Sequence, residues 1–278
     1  MTTDIPFTPL ALDQSDVRYV HGPDSTRQDG VPSGTVTMLE WNTSSIYPGT
    51  SRRFWVYVPA QYDAGDPPSL LVLQDGEGFL DPEDDVRVTI VLDNLIHRGD
   101  LPATIAVFVD PGNRNAEYDA FDDRYVRFLT EEVLPEVRQR WTITDDHDRW
   151  AICGFSCGGN CAFTAAWLRP DIFRRVVCLS PTFPQMPGGN PYPELIAQTP
   201  AKPLRIFMQA PHRDLGWNEP APEYNWLADN LRVAAALAEA AYDFRLVLGD
   251  GEHSSNHGGV LFPDALRWLF RAPEAQRT

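Results

Sequence analysis

The chain has 278 residues, 43% of them hydrophobic, and a formal net charge of −16 at pH 7. That length is enough to bury a large α/β core. The charge repels nucleic-acid phosphates, and no apolar run is long enough to span a membrane, so neither is an expected partner. The opening MTTDIPFTPLALDQSD has no basic start and no apolar core, so no secretion signal is expected and the expected compartment is the cytoplasm.

Residues 1–33 are irregular and polar and read as an arm over a single catalytic domain, 34–278. Gly34 to Asn42 and Arg53 to Val58 are rich in β-branched and aromatic residues and flank a Pro48-Gly49 turn, which predicts an antiparallel pair. Ser69 to Leu73 is a short buried strand ending in Gln74-Asp75-Gly76-Glu77-Gly78. Val88 to His97 has helical spacing, and Thr104 to Val109 is another buried strand. Asp122 to Arg140 is a long amphipathic stretch that Asp122 or Asp123 can cap and Pro135 is expected to kink. Trp150 to Cys153 is a strand, and an Ala-rich helix follows it to Leu168. Further strands are expected at Val176 to Leu179, Leu204 to Ala210 and Phe244 to Leu248, with helices at Tyr224 to Ala241 and Gly259 to Phe270. After the first hairpin, strands and helices alternate. This predicts an α/β fold with a mostly parallel sheet, helices on both faces and ligands beyond the carboxyl ends of the strands.

Between the strand at Trp150 and its helix stands Gly154-Phe155-Ser156-Cys157-Gly158-Gly159. G-x-S-x-G between a strand and a helix is a nucleophile elbow: a sharp turn lifts the Ser156 hydroxyl clear of the sheet. The helix N-terminus behind it offers the Cys157 N–H to a developing oxyanion. No Lys follows the glycines, which excludes a P-loop, and the G-x-G start of a dinucleotide fingerprint is missing. Cys153, Cys157 and Cys161 are spaced by four but fall on strand, turn and helix. They read, with Cys178, as buried thiols rather than metal ligands, and no metal or cofactor is expected.

A serine nucleophile needs a base. After Ser156 the histidines are His212, His253 and His257, and the last two follow the last strand, where the base is expected. His253 is favoured because Gly249 and Gly251 let the chain turn back. His257 is assigned to the rim or to a helix cap, with an effect on substrate affinity. The acid belongs after the preceding strand, where Asp214 stands. Asp243 starts a strand at the wrong end of the sheet, and Asp250 is a poorer candidate that can orient the loop. Gly76 or Glu77 is the candidate for the second oxyanion donor. Arg114 and Glu117, near the end of the strand at Thr104, are candidates to hold polar substrate groups. Trp217 and Trp226 are candidates to wall the pocket.

The chain resembles the enterochelin-esterase-like branch of the α/β-hydrolases, which includes esterase D and the feruloyl esterases. The resemblance runs from about Gly22 to Phe270. It is carried by WVYVPAQYD, LVLQDGEGF, EYDAFDDRYVRFLTEEVLPEV, ICGFSCGGNCAFTAAWLRPDIFRRVV and GEHSSNHGGVLFPDALRWLF. It implies Ser156 as nucleophile, the G-x-H histidine His253 as base and the loop at Gly76 as oxyanion contributor. Asp214 is a positional choice. The short arm replaces the full extra domain of enterochelin esterases. The expected activity is therefore hydrolysis of a small ester, such as a siderophore, hydroxycinnamoyl ester or acylated sugar, through an acyl-enzyme. Acyl transfer to a sugar or other alcohol and a non-catalytic binding role are the alternatives. A homodimer is compatible with the sequence.

Overall fold

The computed structural model describes residues 5, 9–14, 17–220 and 224–272. The arm's residues 1–4, 6–8 and 15–16, the 221–223 end of the loop before the Tyr224 helix, and 273–278 lie outside the described residues.

The apolar runs become strands: β1 Thr35–Trp41, β2 Arg52–Val58, β3 Ser69–Gln74, β4 Thr104–Val109, β5 Trp150–Phe155, β6 Arg175–Leu179, β7 Arg205–Arg213 and β8 Asp243–Glu252. They pair in one sheet in the order β1-β2-β4-β3-β5-β6-β7-β8. β1 and β2 form the antiparallel hairpin, and β2 runs antiparallel to β4. From β4 through β3 to β8 every neighbour is parallel. The residues of β3 and β4 are all buried, as a parallel strand covered on both faces requires.

The helices are α1 Gly76–Leu80, α2 Val88–Arg98, α3 Arg114–Tyr118, α4 Arg124–Arg127, α5 Leu134–Arg138, α6 Cys157–Leu168, α7 Tyr192–Gln198, α8 Trp226–Glu239 and α9 Ser255–Phe270. Strand alternation sorts the core into two layers. Phe54, Val56, Leu70, Val72 and Ile152 meet α6, α8 and the α4–α5 stretch. Trp55, Tyr57, Leu71, Leu73 and Cys153 meet α2 and α9. Side chains at 0% exposure, such as Leu70, Val72 and Ile152, each contribute about 1.5–3 kcal/mol of burial.

The structure differs from the sequence expectation in several places, among them an unexpected helix at α7. Phe128–Val133, between α4 and α5, is a π-helix. Pro135 has no N–H and its ring crowds the carbonyl four residues back, and the wider π turn just ahead of it accommodates both. β7 and β8 run three and four residues further than expected, because pairing continues from Pro211↔Gly249 across a bulge to Arg213↔Glu252. α9 starts at Ser255, four residues early, with the Ser254 hydroxyl accepting from Asn256 N–H. Gly76 opens a one-turn helix rather than a plain turn. Among the described residues no helix is long and apolar enough to cross a membrane.

Candidate active site

β5 delivers Ser156 to the carboxyl end of the sheet, at the N-cap of α6, with φ 59° and ψ −125°. The turn holds this conformation because its neighbours leave no alternative. The Ser156 N–H donates to Leu179 O at 2.9 Å, and Ser156 O accepts from Gly159 and Asn160 N–H. A Cβ on Gly154 would lie 2.2 Å from the Gly158 backbone, so only glycine lets strand and helix pass.

His253 and Ser254 are the whole connection between β8 and α9. His253 Nε2 lies 3.2 Å from Ser156 Oγ, and its Nδ1 lies 2.6 Å from Asp214 Oδ1. Asp214, directly after β7, is 0% exposed, and its Oδ1 also accepts the Leu215 N–H at 2.9 Å. The carboxylate only accepts, so the His253 proton sits on Nδ1 and the Nε2 lone pair faces the serine. The imidazole is clamped by Phe155 at 4.9 Å and by the edge of Trp226 at 5.0 Å between ring centroids. The geometry can therefore deprotonate Ser156 and stabilise the resulting imidazolium.

The N–H of Cys157 is the first of α6, with no partner inside the helix. The Asp75-Gly76 turn lies beside it: Asp75 Oδ2 would be 3.2 Å from a Cβ on Gly158. Glu77 is corrected as an oxyanion donor. Its N–H is engaged by Asp110 Oδ1 at 3.0 Å, and its exposed carboxylate pairs with Arg53 at 2.7 Å. Gly76 and Cys157 remain as the candidate donors.

Arg114 stands at the edge of the site, its guanidinium held bidentately by Asp75 at 2.7 Å on each side. Asp75 itself stands at φ 55°. Glu117 is corrected as a substrate contact. It is buried, takes a bidentate fork from Arg52 at 2.7 and 3.0 Å, and accepts the Gly112 and Asn113 N–H groups. His257 is corrected as a rim residue. It lies inside α9, 8% exposed, stacked on Tyr19 and bonded to Gln209. Burial holds its imidazole down to about 4. Trp217 is 45% exposed under the Arg213 guanidinium, whereas Trp226 is buried against His253.

All four cysteines are buried and free. Cys153 faces the α2–α9 layer and the other three face the α6 layer, so they do not converge. Phe155, Asp75 and Tyr19 were not singled out from sequence. Only Phe155 had a local signal, as the residue before the elbow serine. A cavity of about 120 Å³ opens beside the elbow between Asp75, Phe79, Asp84, Val86, Phe155 and Ser255. A larger hollow of about 380 Å³, with Arg174, Arg175, Lys202 and Arg205, lies where β6 and β7 begin, away from Ser156.

A strand–turn–helix elbow on a mostly parallel sheet with an N-terminal antiparallel hairpin defines the α/β-hydrolase fold. The chain belongs to the family described as "Putative esterase", whose model matches residues 45–259. It is 24% identical over 301 residues to an Iron(III) enterobactin esterase of Dickeya dadantii, covering 96% of this chain and 66% of that protein. The ferric enterobactin esterase of Salmonella typhimurium superposes with a TM-score of 0.73 at 23% identity, over 92% of this chain and 62% of that one. A feruloyl esterase module from Clostridium thermocellum, solved in complex with sinapinate, gives 0.67 at 17% identity, over 95% and 98%. The chain thus spans less than two thirds of the length of most of the enterobactin esterases it matches, and 42% of two from Escherichia coli.

Proposed function

We propose that this protein is a serine carboxylic-ester hydrolase acting on a small soluble ester with an aromatic acyl or alcohol part. The observation that carries the reading is the hydrogen-bonded line Asp214–His253–Ser156 at the apex of the elbow. Ser156 Oγ attacks the ester carbonyl carbon while His253 Nε2 takes its proton. The Cys157 and Gly76 N–H groups hold the oxyanion. As the intermediate collapses, His253 returns the proton to the departing alcohol and leaves an acyl-serine. Water repeats the sequence and releases the acid. Every proton is carried by His253, so the cycle as written requires no cofactor.

The substrate class rests on the site's surroundings and on its relatives. The 120 Å³ cavity is well below the usual ligand pocket of about 300–1,000 Å³, so it suits a small group, with the rest of the ester over an open rim. On the other side of His253, the loop that follows Asp214 carries Leu215, Trp217 and Tyr224, each at least 45% exposed, which offer flat apolar contact. The relatives named for enterobactin and feruloyl esters point the same way.

The test is turnover of p-nitrophenyl, feruloyl and acetylated-sugar esters, with intact mass spectrometry to detect acylation of Ser156. Ser156→Ala is expected to lower kcat by about a thousandfold or more with the fold intact. A Ser156→Ala protein with near-wild-type turnover would sink the reading. A product analysis in which sugar acceptors outcompete water would reassign the chemistry to acyl transfer.

A further inference from the structure

β8 is the edge of the sheet. Its last residues, Gly249 to Glu252, lead directly into His253, and β7 pairs with them from one side only, across a bulge. An edge strand has outward N–H and C=O groups that a neighbouring strand would normally bond. Here one side chain from the far end of the sequence takes that place. The Tyr19 hydroxyl accepts the Asp250 N–H at 2.8 Å and donates to Asp250 O at 3.3 Å. The same residue grips the other side of the connection. Tyr19 N–H donates to Asn256 Oδ1 at 2.7 Å, and Tyr19 O accepts from Asn256 Nδ2 at 3.2 Å. Asp250 is three residues before His253 and Asn256 three after it.

The ring of Tyr19 has a rigid bed. It stacks on His257 at 4.2 Å between centroids, with the planes 20° apart. His257 is fixed in turn from the sheet. Ser180 Oγ donates to Gln209 Oε1 at 3.2 Å, and Gln209 Nε2 meets His257 Nδ1 at 3.0 Å. The Gln209 amide nitrogen can only donate, so His257 Nδ1 accepts and the ring is neutral with its proton on Nε2. A Cβ at Gly249 would lie 2.1 Å from the His257 ring, so the strand closes over this column only because glycine stands there. The arm is pinned a second time where Arg18 meets Asp85, which itself bonds Ser255 and Asn256.

We propose that Tyr19 is a positioning residue for the His253 base: its hydroxyl substitutes for the missing strand beside β8 and sets the reach of His253 to Ser156. The proposal rests on the hydrolase reading above. That reach is 3.2 Å, the long end of a hydrogen bond. Reacting groups must be held to within about 0.5 Å, and a misplacement of about 1 Å costs on the order of a hundredfold. Tyr19→Phe keeps the ring on His257 and deletes both bonds to Asp250.

The test is single-turnover reaction with a p-nitrophenyl alkylphosphonate. The Ser156 Oγ–P bond forms, p-nitrophenolate leaves, and the serine proton goes to His253. The amplitude counts competent sites and the rate constant reads their geometry. Wild type is expected to release one equivalent and Ser156→Ala none. Tyr19→Phe is expected to release one equivalent about tenfold more slowly, with kcat for an ester lowered and KM unchanged. Arg27→Ala, on the same arm, is expected to match wild type in both amplitude and rate. A Tyr19→Phe protein that reacts at the wild-type rate with full amplitude overturns the proposal and leaves the Ser156 assignment standing. A reduced amplitude with an unchanged rate also overturns it, because the tyrosine would then serve folding alone. Wild type that does not react, or Ser156→Ala that does, removes the hydrolase reading and this proposal together.

Discussion

Among single residues, Asp214 and Glu117 show how one chemical group takes two roles according to its partner. Asp214 is buried and faces a histidine whose other nitrogen reaches Ser156. Asp214→Asn can present its amide to Nδ1 and so favour the wrong tautomer. A loss in kcat of about 10³–10⁴ is expected with little change in fold, measured on any ester that wild type turns over. Retention of wild-type kcat would remove Asp214 from the mechanism. Glu117 is buried too, but its partner Arg52 has a side chain at 0% exposure, against the Phe128 ring at 4.3 Å. Glu117→Ala leaves that guanidinium uncompensated. The expected cost is about 3–5 kcal/mol in a urea unfolding curve, with normal kcat per folded molecule. His257 makes a pH prediction. Its pKa is depressed by burial from 6.5 to about 4. Above about pH 6.5 it is neutral folded or unfolded and adds no pH dependence. As pH falls through 6.5 the unfolded chain takes up the proton first. Stability is then lost until the folded ring also protonates near pH 4, by about 3 kcal/mol in all. The pH dependence of the wild-type unfolding free energy minus that of His257→Gln should show this loss between about pH 6.5 and 4, and a flat difference would refute it.

At the scale of elements, α9 matters most because it begins two residues after the histidine. Its N-cap is Ser254, whose hydroxyl accepts from Asn256 N–H at 3.1 Å. Ser254→Ala should cost about 1 kcal/mol, and Ser254→Gly only a few tenths, read as a shift in urea midpoint at constant slope. Equal midpoints for Ser254→Ala and wild type would show that the tertiary contacts of α9, not its cap, fix the start. The same helix shows where a sequence is legible. The central strands are continuous apolar runs such as Leu70 to Leu73 and Ile105 to Val109, so their positions follow from composition alone. The elbow was equally legible, since strand, glycines and helix are contiguous. Strand order then nominated His253 and Asp214. The ends of β7 and β8 were not legible. Gly249-Asp250-Gly251 has turn composition, with Gly251 at φ 100°, and its pairing with β7 and its contact with Tyr19, 231 residues away, hold it at the sheet edge. Likewise α1 begins at an Asp75 in the αL conformation whose carboxylate meets Arg114, 39 residues on, and the role of Glu117 is set by Arg52, 65 residues before it. The misreadings share a cause: a partner distant in sequence overrides the local pattern.

For the whole molecule, the net charge of −16 is unevenly placed. Asp75, Asp81, Glu83, Asp84, Asp85 and Asp110 lie on the loops leaving β3 and β4, near the carboxyl ends of the strands. There Arg114, Arg53 and Arg18 answer part of that charge. The basic cluster of Arg174, Arg175, Lys202 and Arg205 sits at the opposite end of the sheet. From this placement the expected field on the β3–β4 side of the Ser156 site is negative, and an ester carrying its own carboxylate is expected to approach against it. Such repulsion acts over the Debye length, about 30 Å at 0.01 M salt but about 8 Å at 0.15 M. kcat/KM for an anionic p-nitrophenyl ester should therefore rise several-fold between those salt concentrations, through KM and association rate rather than kcat. A neutral p-nitrophenyl ester of the same length should stay level over the same range and so corrects for any effect of salt on the fold. A cationic ester should show the reverse dependence. If the anionic ester instead slows with added salt, a local positive group must outweigh the acidic loops, and Arg114 released from Asp75 would be the residue to mutate next.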